Sequence, residues 1–412
     1  MVTKWAKSAF LSALGGLRGG TLRLECGGRS DRFGERGDLH GTLVVHHERF
    51  FRRALTGSDI GIGESFMDGD WSSPDPVPLA RLMLRNRQAL AGTSRVAGAL
   101  HQVAGGIARR LRDNSLAASR RHIRRHYDLG NDFFRLFLDS ELLMYSCGYF
   151  EAVTDSLETS QARKVDRACR KLALSPADHV LEIGSGWGGF ATWAATHYGC
   201  RVTTTTISDE QYRHACEWRS RLGEAGSRIE VLRTDYRELT GRFDKVVSIE
   251  MFEAVGLNHY DDYFAAVDRL LAPDGAMLLQ TITVDDQWFP KYHGTPDWIE
   301  KYIFPGGELA SVGEILKSLA RTTSLSMYHA ENFGTHYART LRSWRARFHL
   351  NLDRVRALGF DDRFIRMWDL YLASCEAAFL ERHTGLFQML LVKNGAQGVL
   401  FNETRAESES AA

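Results

Sequence analysis

The chain has 412 residues, 44% apolar and 11% aromatic, enough to bury a core, so wholesale disorder is excluded and two domains are the natural expectation. Its net charge of +1 removes overall basicity as an argument for nucleic acid. The cysteines (Cys26, Cys147, Cys169, Cys200, Cys216, Cys375) form no C-x-x-C pair, which reads as reduced thiols rather than a disulfide framework or a zinc site, and no metal is expected.

The first residues, MVTKWAKSAFLSALGGL, carry Trp5, Phe10, Leu14 and Leu17 beside Lys4 and Lys7. They read as a weak interfacial helix rather than a signal peptide, whose apolar core Lys7 would interrupt. No run of 18 apolar residues follows that could span a membrane. Residues 20–78 read as short strands and turns: TLRLE, GTLVVH and RFFRRALTG, then the turn-rich GIGESFMDGDWSSPDPVP. Residues 79–125 read as helical and hold eleven arginines (81, 85, 87, 95, 109, 110, 112, 120, 121, 124, 125) against one acid, Asp113. Such a segment suits an anionic membrane surface, or arginines paired with acids elsewhere in the fold. No nucleic-acid motif accompanies it, so no nucleic-acid partner is expected.

From about residue 155 helix and strand alternate. SLETSQARKVDRACRKLAL leads into strand DHVLEIG, and further strands are expected at RVTTTTIS, IEVLRTD, KVVSIEM and AMLLQTITV. Alternation of this kind means an α/β fold, a parallel sheet with helices on both faces. At VLEIGSGWGGFATW a strand ends in Glu182 and a glycine turn opens a helix. Gly184-x-Gly186-x-x-Gly189 fits a dinucleotide fingerprint, but that reading needs an acid at the end of the second strand to hold a ribose. That strand ends Thr205-Thr206-Ile207-Ser208, with no carboxylate before Asp209. The compact E-x-G-x-G-x-G turn favours S-adenosylmethionine instead, with the helix start facing its carboxylate.

The segments GESFMDGDW, HYDLGNDFF, MYSCGYF, VLEIGSGWGG, EMFEAVG, EKYIFPGGEL, NFGTHYARTL and CEAAF stand in order between Gly61 and Lys393. With them the chain resembles the cyclopropane fatty acid synthases and mycolic acid methyltransferases. The resemblance implies a Rossmann-like class I S-adenosylmethionine-dependent methyltransferase domain at 116–400. It also implies a smaller mixed α+β accessory domain at 1–115, associated with lipid or membrane, and leaves 401–412 as a flexible tail. The implied reaction is methyl transfer to the cis double bond of an unsaturated phospholipid acyl chain. A bound bicarbonate then removes a proton so that a cyclopropane closes.

That bicarbonate is implied to be held by Cys147, Glu253, Tyr337 and the backbone of Ile282. Gln280 stands where the family pattern has histidine (LLQTIT against LLHTIG), and Ala254 where many synthases have a second histidine. Glutamine can hold an anion through its amide but cannot carry or relay a proton. A methyl- or methylene-branched product is therefore the alternative to a ring. Cys375 matches a cysteine associated with activity in the family, with an inert buried thiol as the other reading. The resemblance places Tyr145, Ser146, Glu182, Gly184, Gly186 and Gly188 at the methionine end of the cofactor, with Thr206, Ile207 and Gln211 at the ribose and adenine. Asp235 and Tyr236 are the candidates for the adenine edge. The expected setting is the cytoplasm, peripherally at the inner face of the membrane, with a homodimer left open. A non-catalytic lipid-binding protein and a small-molecule methyltransferase are the rival functions. The aromatic residues Trp288, Phe289, Tyr292, Trp298, Tyr302 and Phe304 read as a lid over an acyl tunnel or as ordinary core.

Overall fold

The computed structural model describes residues 2–88, 129–293 and 297–396. They form two compact units. Residues 2–88, 287–293, 297–305 and 337–384 make the first, and 129–286, 306–336 and 385–396 the second. The sequence reading divides the chain once, near residue 115, whereas the compact units interleave: two later stretches fold with the N-terminal part.

In the first unit a sheet of four strands is ordered β2-β1-β3-β4, with β1 Gly20–Cys26, β2 Arg29–Gly34, β3 Leu39–Val45 and β4 Trp71–Ser72. Helix Pro76–Arg85 starts on Asp75, whose side chain caps Val77 N–H, and lies close over β3. A Cβ on Gly41 would lie 3.0 Å from Leu79 Cα, a tight contact that glycine avoids. RFFRRALTG, expected as a strand, is the helix Arg49–Thr56. Its apolar residues Phe50, Phe51, Ala54 and Leu55 repeat at i, i+1, i+4 and i+5, the helical period, and the two phenylalanines are buried. GESFM likewise belongs to a helix, Ser58–Met67.

The DGDW turn that follows is an anchor. Asp70 is fully buried and accepts from Arg49 Nε at 2.5 Å, Arg53 Nη1 at 3.0 Å and Ser65 Oγ at 2.9 Å. Both carboxylate oxygens are satisfied, the condition under which a buried charge is tolerated. Helix Trp298–Tyr302 docks on Ser58–Met67. Trp298 N–H donates to Asp59 at 3.0 Å, while Lys301 Nζ and Tyr302 OH reach Glu64 Oε1 at 2.6 and 2.8 Å. The Trp298 ring fills the space over Gly63, where a Cβ would lie 2.3 Å from it.

The second unit holds a sheet of seven strands ordered β10-β11-β9-β8-β5-β6-β7. Its strands are β5 His179–Ile183, β6 Arg201–Thr205, β7 Ile229–Leu232, β8 Phe243–Ile249, β9 Leu271–Val284, β10 Leu325–Asn332 and β11 Thr384–Lys393. Strands β5 to β9 pair in parallel and β10 runs antiparallel to β11. The two-residue period of β5 sends Leu181 and Ile183 to one face, packed with helices Tyr260–Leu270 and Val312–Thr322. Val180 faces the other side, with Val165, Phe190 and Ala215 from helices Leu157–Lys171, Gly189–Trp193 and Asp209–Ser220. Helices therefore cover both faces, as the alternating sequence predicts. The carboxyl ends of β5, β8 and β9 are left to build a site.

Candidate active site

At the end of β5 the chain turns through Gly184, Gly186 and Gly188 with φ of +97°, +49° and +99°, values that favour glycine. A Cβ on Gly184 would meet Met251 at 2.9 Å, whereas one on Gly186 would meet nothing within 4 Å. Gly184 is thus packed against protein, and Gly186 leaves its backbone open to a ligand. Gly184 and Ser185 N–H both donate to Thr205 O, which pins the turn to β6.

Glu182 is buried and accepts from Thr204 Oγ1 on the neighbouring strand at 2.5 Å. Burial pushes its carboxyl up to about 8, so it is a protonated strand-to-strand link at neutral pH rather than a free charge. Thr206 Oγ1 donates to Gln211 Oε1 at 2.9 Å and also receives Ser208 N–H at 3.1 Å. This contact orients the glutamine amide at the end of β6, next to the half-buried Ile207.

Asp235 and Tyr236 have partners inside the protein. Arg237 takes both Asp235 oxygens at 2.8 and 2.9 Å, and Tyr236 packs edge-on against Tyr263 at 5.1 Å. Tyr145 lies half-buried against Phe134 at 5.2 Å. The neighbouring Ser146 is held at both polar atoms, its Oγ by Lys164 Nζ at 2.8 Å and its carbonyl by Gln161 Nε2 at 2.7 Å. Lys164 is fully buried, and that burial draws its ammonium down to about 8.

Beyond β8 and along β9 stands the second half of the site. Glu253 Oε1 accepts Ile282 N–H at 2.6 Å and Thr281 Oγ1 at 3.0 Å. Its Oε2 is buried with no hydrogen-bond partner among the described residues. Burial first, and the nearby Glu250 second, push this carboxyl up to about 7. The Ile282 N–H expected to face an anion is therefore already used to fix Glu253.

Gln280 faces elsewhere. Its Nε2 donates to Glu250 Oε1 at 2.8 Å and its Oε1 accepts from Gln388 Nε2 of β11 at 3.0 Å, with both glutamines fully buried. Cys147 N–H also reaches Glu250 Oε1, at 2.9 Å, and the Cys147 thiol donates to Gly148 O at 3.2 Å. The structure thus brings Glu253 and Ile282 into one contact, and joins Cys147 and Gln280 through Glu250.

Tyr337 and Cys375 belong to the first unit. The Tyr337 ring stacks on Phe379 at 4.5 Å, and burial pushes the Cys375 thiol up to about 12, far from a thiolate. Sequence reasoning passed over Glu250, Lys164 and Gln388. Glu250 lies inside the quoted EMFEAVG segment, so its position was on view, but its contacts follow from strand order.

Against this geometry the family model described as Mycolic acid cyclopropane synthetase matches residues 114–389. The chain belongs to that family. It is 39% identical over 369 residues to the tuberculostearic acid methyltransferase of Mycobacterium tuberculosis, covering 86% of this chain and 84% of the relative. It is 38% identical over 373 residues to the cyclopropane-fatty-acyl-phospholipid synthase of Escherichia coli K12, covering 87% and 90%. Among solved structures, the mycolic acid cyclopropane synthase CmaA1 complexed with SAH and CTAB superposes with a TM-score of 0.62 at 32% identity, over 66% of this chain and 98% of that one. The protein is accordingly a methyltransferase of the cyclopropane-fatty-acyl-phospholipid synthase family with the class I fold. S-adenosylmethionine is its cofactor, and the open backbone at Gly186 with the oriented Gln211 amide fits that group.

Proposed function

We propose that this enzyme methylates the cis double bond of an unsaturated phospholipid acyl chain and closes a cyclopropane ring. The observation that carries this reading is Glu253 Oε2, a buried oxygen with no hydrogen-bond partner among the described residues. Bound at the glycine turn, S-adenosylmethionine would supply the electrophilic methyl for the alkene carbon and leave as the neutral thioether. The chain's own task is then to keep water from the electron-poor acyl chain and to take up the proton that the new methyl must lose. Glu253, held at Oε1 by Ile282 and Thr281, is oriented to receive that proton at Oε2. A carboxyl poised at about 7 can both take and release a proton near neutral pH. Bicarbonate fits at the same oxygen, because its hydroxyl can donate to Oε2, and it would supply a base there.

One observation favours a methyl- or methylene-branched product as the second reading. Gln280 cannot titrate, and its amide is tied to Glu250 and Gln388 instead of facing Glu253. The relative named as a tuberculostearic acid methyltransferase is as similar to this chain as the phospholipid synthase.

Access to lipid is proposed to be peripheral, from the inner face of the membrane, and an association of two copies is compatible with it. Among the described residues no helix is long and apolar enough to cross a bilayer. Of the eleven arginines, Arg81 and Arg85 both pair with Glu381 at 2.6 Å, and Arg87 lies 4.1 Å over the Trp288 ring. These three serve the fold; the other eight, from 95 to 125, lie outside the described residues and carry the docking proposal. Expression in a host without such enzymes tests the function. Extracted acyl chains should be heavier by one CH2 and show ring protons by NMR, and unaltered lipids would overturn the proposal.

A further inference from the structure

The residue that follows β8 is held in a conformation that costs free energy. Glu250 has φ +50° in the left-handed region, and it is not a glycine. Three hydrogen bonds fix it there. Its N–H donates to Gln280 O at 2.8 Å, and its Oε1 receives Cys147 N–H and Gln280 Nε2. Gln280 cannot swing away, because Gln388 Nε2 holds its carbonyl. On the other side Met251 abuts Gly184 of the glycine turn. The carboxylate therefore stands where the 145–147 segment, the glycine turn and the ends of β8 and β9 converge. Two of these segments, 145–147 and the glycine turn, belong to the methyl-donor site. The ionisable groups that face it are Lys164, whose Nζ is anchored on Ser146, and Glu253.

We propose that Glu250 is a specificity-determining carboxylate that favours the cationic methyl donor over its neutral product. The inference rests on the S-adenosylmethionine site described above. A carboxylate fixed by backbone and amide donors attracts a positive sulfur without having to reorganise, and inside protein that attraction is far stronger than in water. Once the methyl has left, the thioether is neutral and the attraction is gone, so the site releases its product more readily. Lys164, a fully buried amine whose charge Glu250 favours, is the countercharge to Glu250 when the site is empty. The hydrogen bond from Gln280 also gives the glutamine at the histidine position a purpose, because an amide can hold Glu250 without adding a charge of its own.

The test is calorimetric binding to the full chain of S-adenosylmethionine, S-adenosylhomocysteine, and sinefungin, in which an ammonium replaces the sulfonium. Glu250→Gln keeps the shape and loses the charge. It should weaken S-adenosylmethionine about tenfold, about 1.4 kcal/mol, and change S-adenosylhomocysteine by less than about twofold. Glu250→Asp should recover part of the difference. Equal weakening of both nucleosides would mean a structural role only and would overturn the proposal. If the glutamine variant does not fold, the wild type decides. Sinefungin and S-adenosylmethionine should both bind more tightly than S-adenosylhomocysteine, and equal affinities would overturn it. Failure of the wild type to bind any of the three would remove the donor-site assignment itself and this inference with it.

Discussion

Asp70 and Glu253 each carry a buried carboxyl oxygen in short acidic, aromatic motifs, DGDW and EMFEAVG, and they do opposite things. Asp70 has two arginines and a serine on its two oxygens, so its charge is balanced and its position is its function. Glu253 has one oxygen tied to Ile282 and Thr281 and the other with no hydrogen-bond partner among the described residues. A fully satisfied acid holds a fold together, whereas a half-satisfied one retains capacity for a proton or a ligand.

Substitution should separate the two residues. Glu253→Gln should lower product formation about a thousandfold while S-adenosylmethionine affinity, measured by calorimetry, stays within about twofold. Near-normal turnover would remove Glu253 from the chemistry. Asp70→Asn should do the reverse. Leaving Arg49 without its charge partner and Arg53 with Asp68 alone should cost about 3 kcal/mol in urea denaturation, with activity per folded molecule preserved.

The stability of the two variants should also differ in pH dependence. Unfolded, a glutamate titrates near 4.3, whereas burial holds Glu253 at about 7. Between those values the native state keeps a proton that the unfolded chain has released, so wild-type stability falls as pH rises through the window and stays lower above it. Relative to wild type, Glu253→Gln should gain about 3 kcal/mol between pH 4 and pH 8, read from denaturation at the two pH values. A constant difference would show that the carboxyl is not protonated by burial. The smallest effect is expected at Gln280→His. The imidazole can keep one of the two amide contacts, costing about 1 kcal/mol of stability, and NMR of the lipid product should show a larger share of ring. An unchanged share would mean that the glutamine is already adapted to ring closure.

Much of this architecture was legible in the sequence. The period of helix and strand from residue 155 gave the parallel sheet, and the glycine spacing located the turn whose left-handed backbone needs it. RFFRRALTG misled because adjacent phenylalanines suit a strand as well as a helix, and the helical spacing of Phe50, Phe51, Ala54 and Leu55 is the signal that separates them. The interleaving of residues 287–293, 297–305 and 337–384 with the N-terminal part is a long-range arrangement that no local pattern encodes. Within the site, Glu253, Cys147 and Gln280 could be placed by motif, but their partners could not. That Gln280 faces Glu250 depends on β11 lying beside β9, and that Ile282 N–H is used by Glu253 depends on backbone direction at the end of a strand.

If the open oxygen of Glu253 takes the proton, the pH profile of product formation on phospholipid vesicles reports its titration. Wild-type kcat should rise about tenfold per pH unit up to about 7 and then level off, and the Glu253→Gln variant should show no such limb. A wild-type profile that is flat through pH 7, or a limb that survives the substitution, would contradict the account.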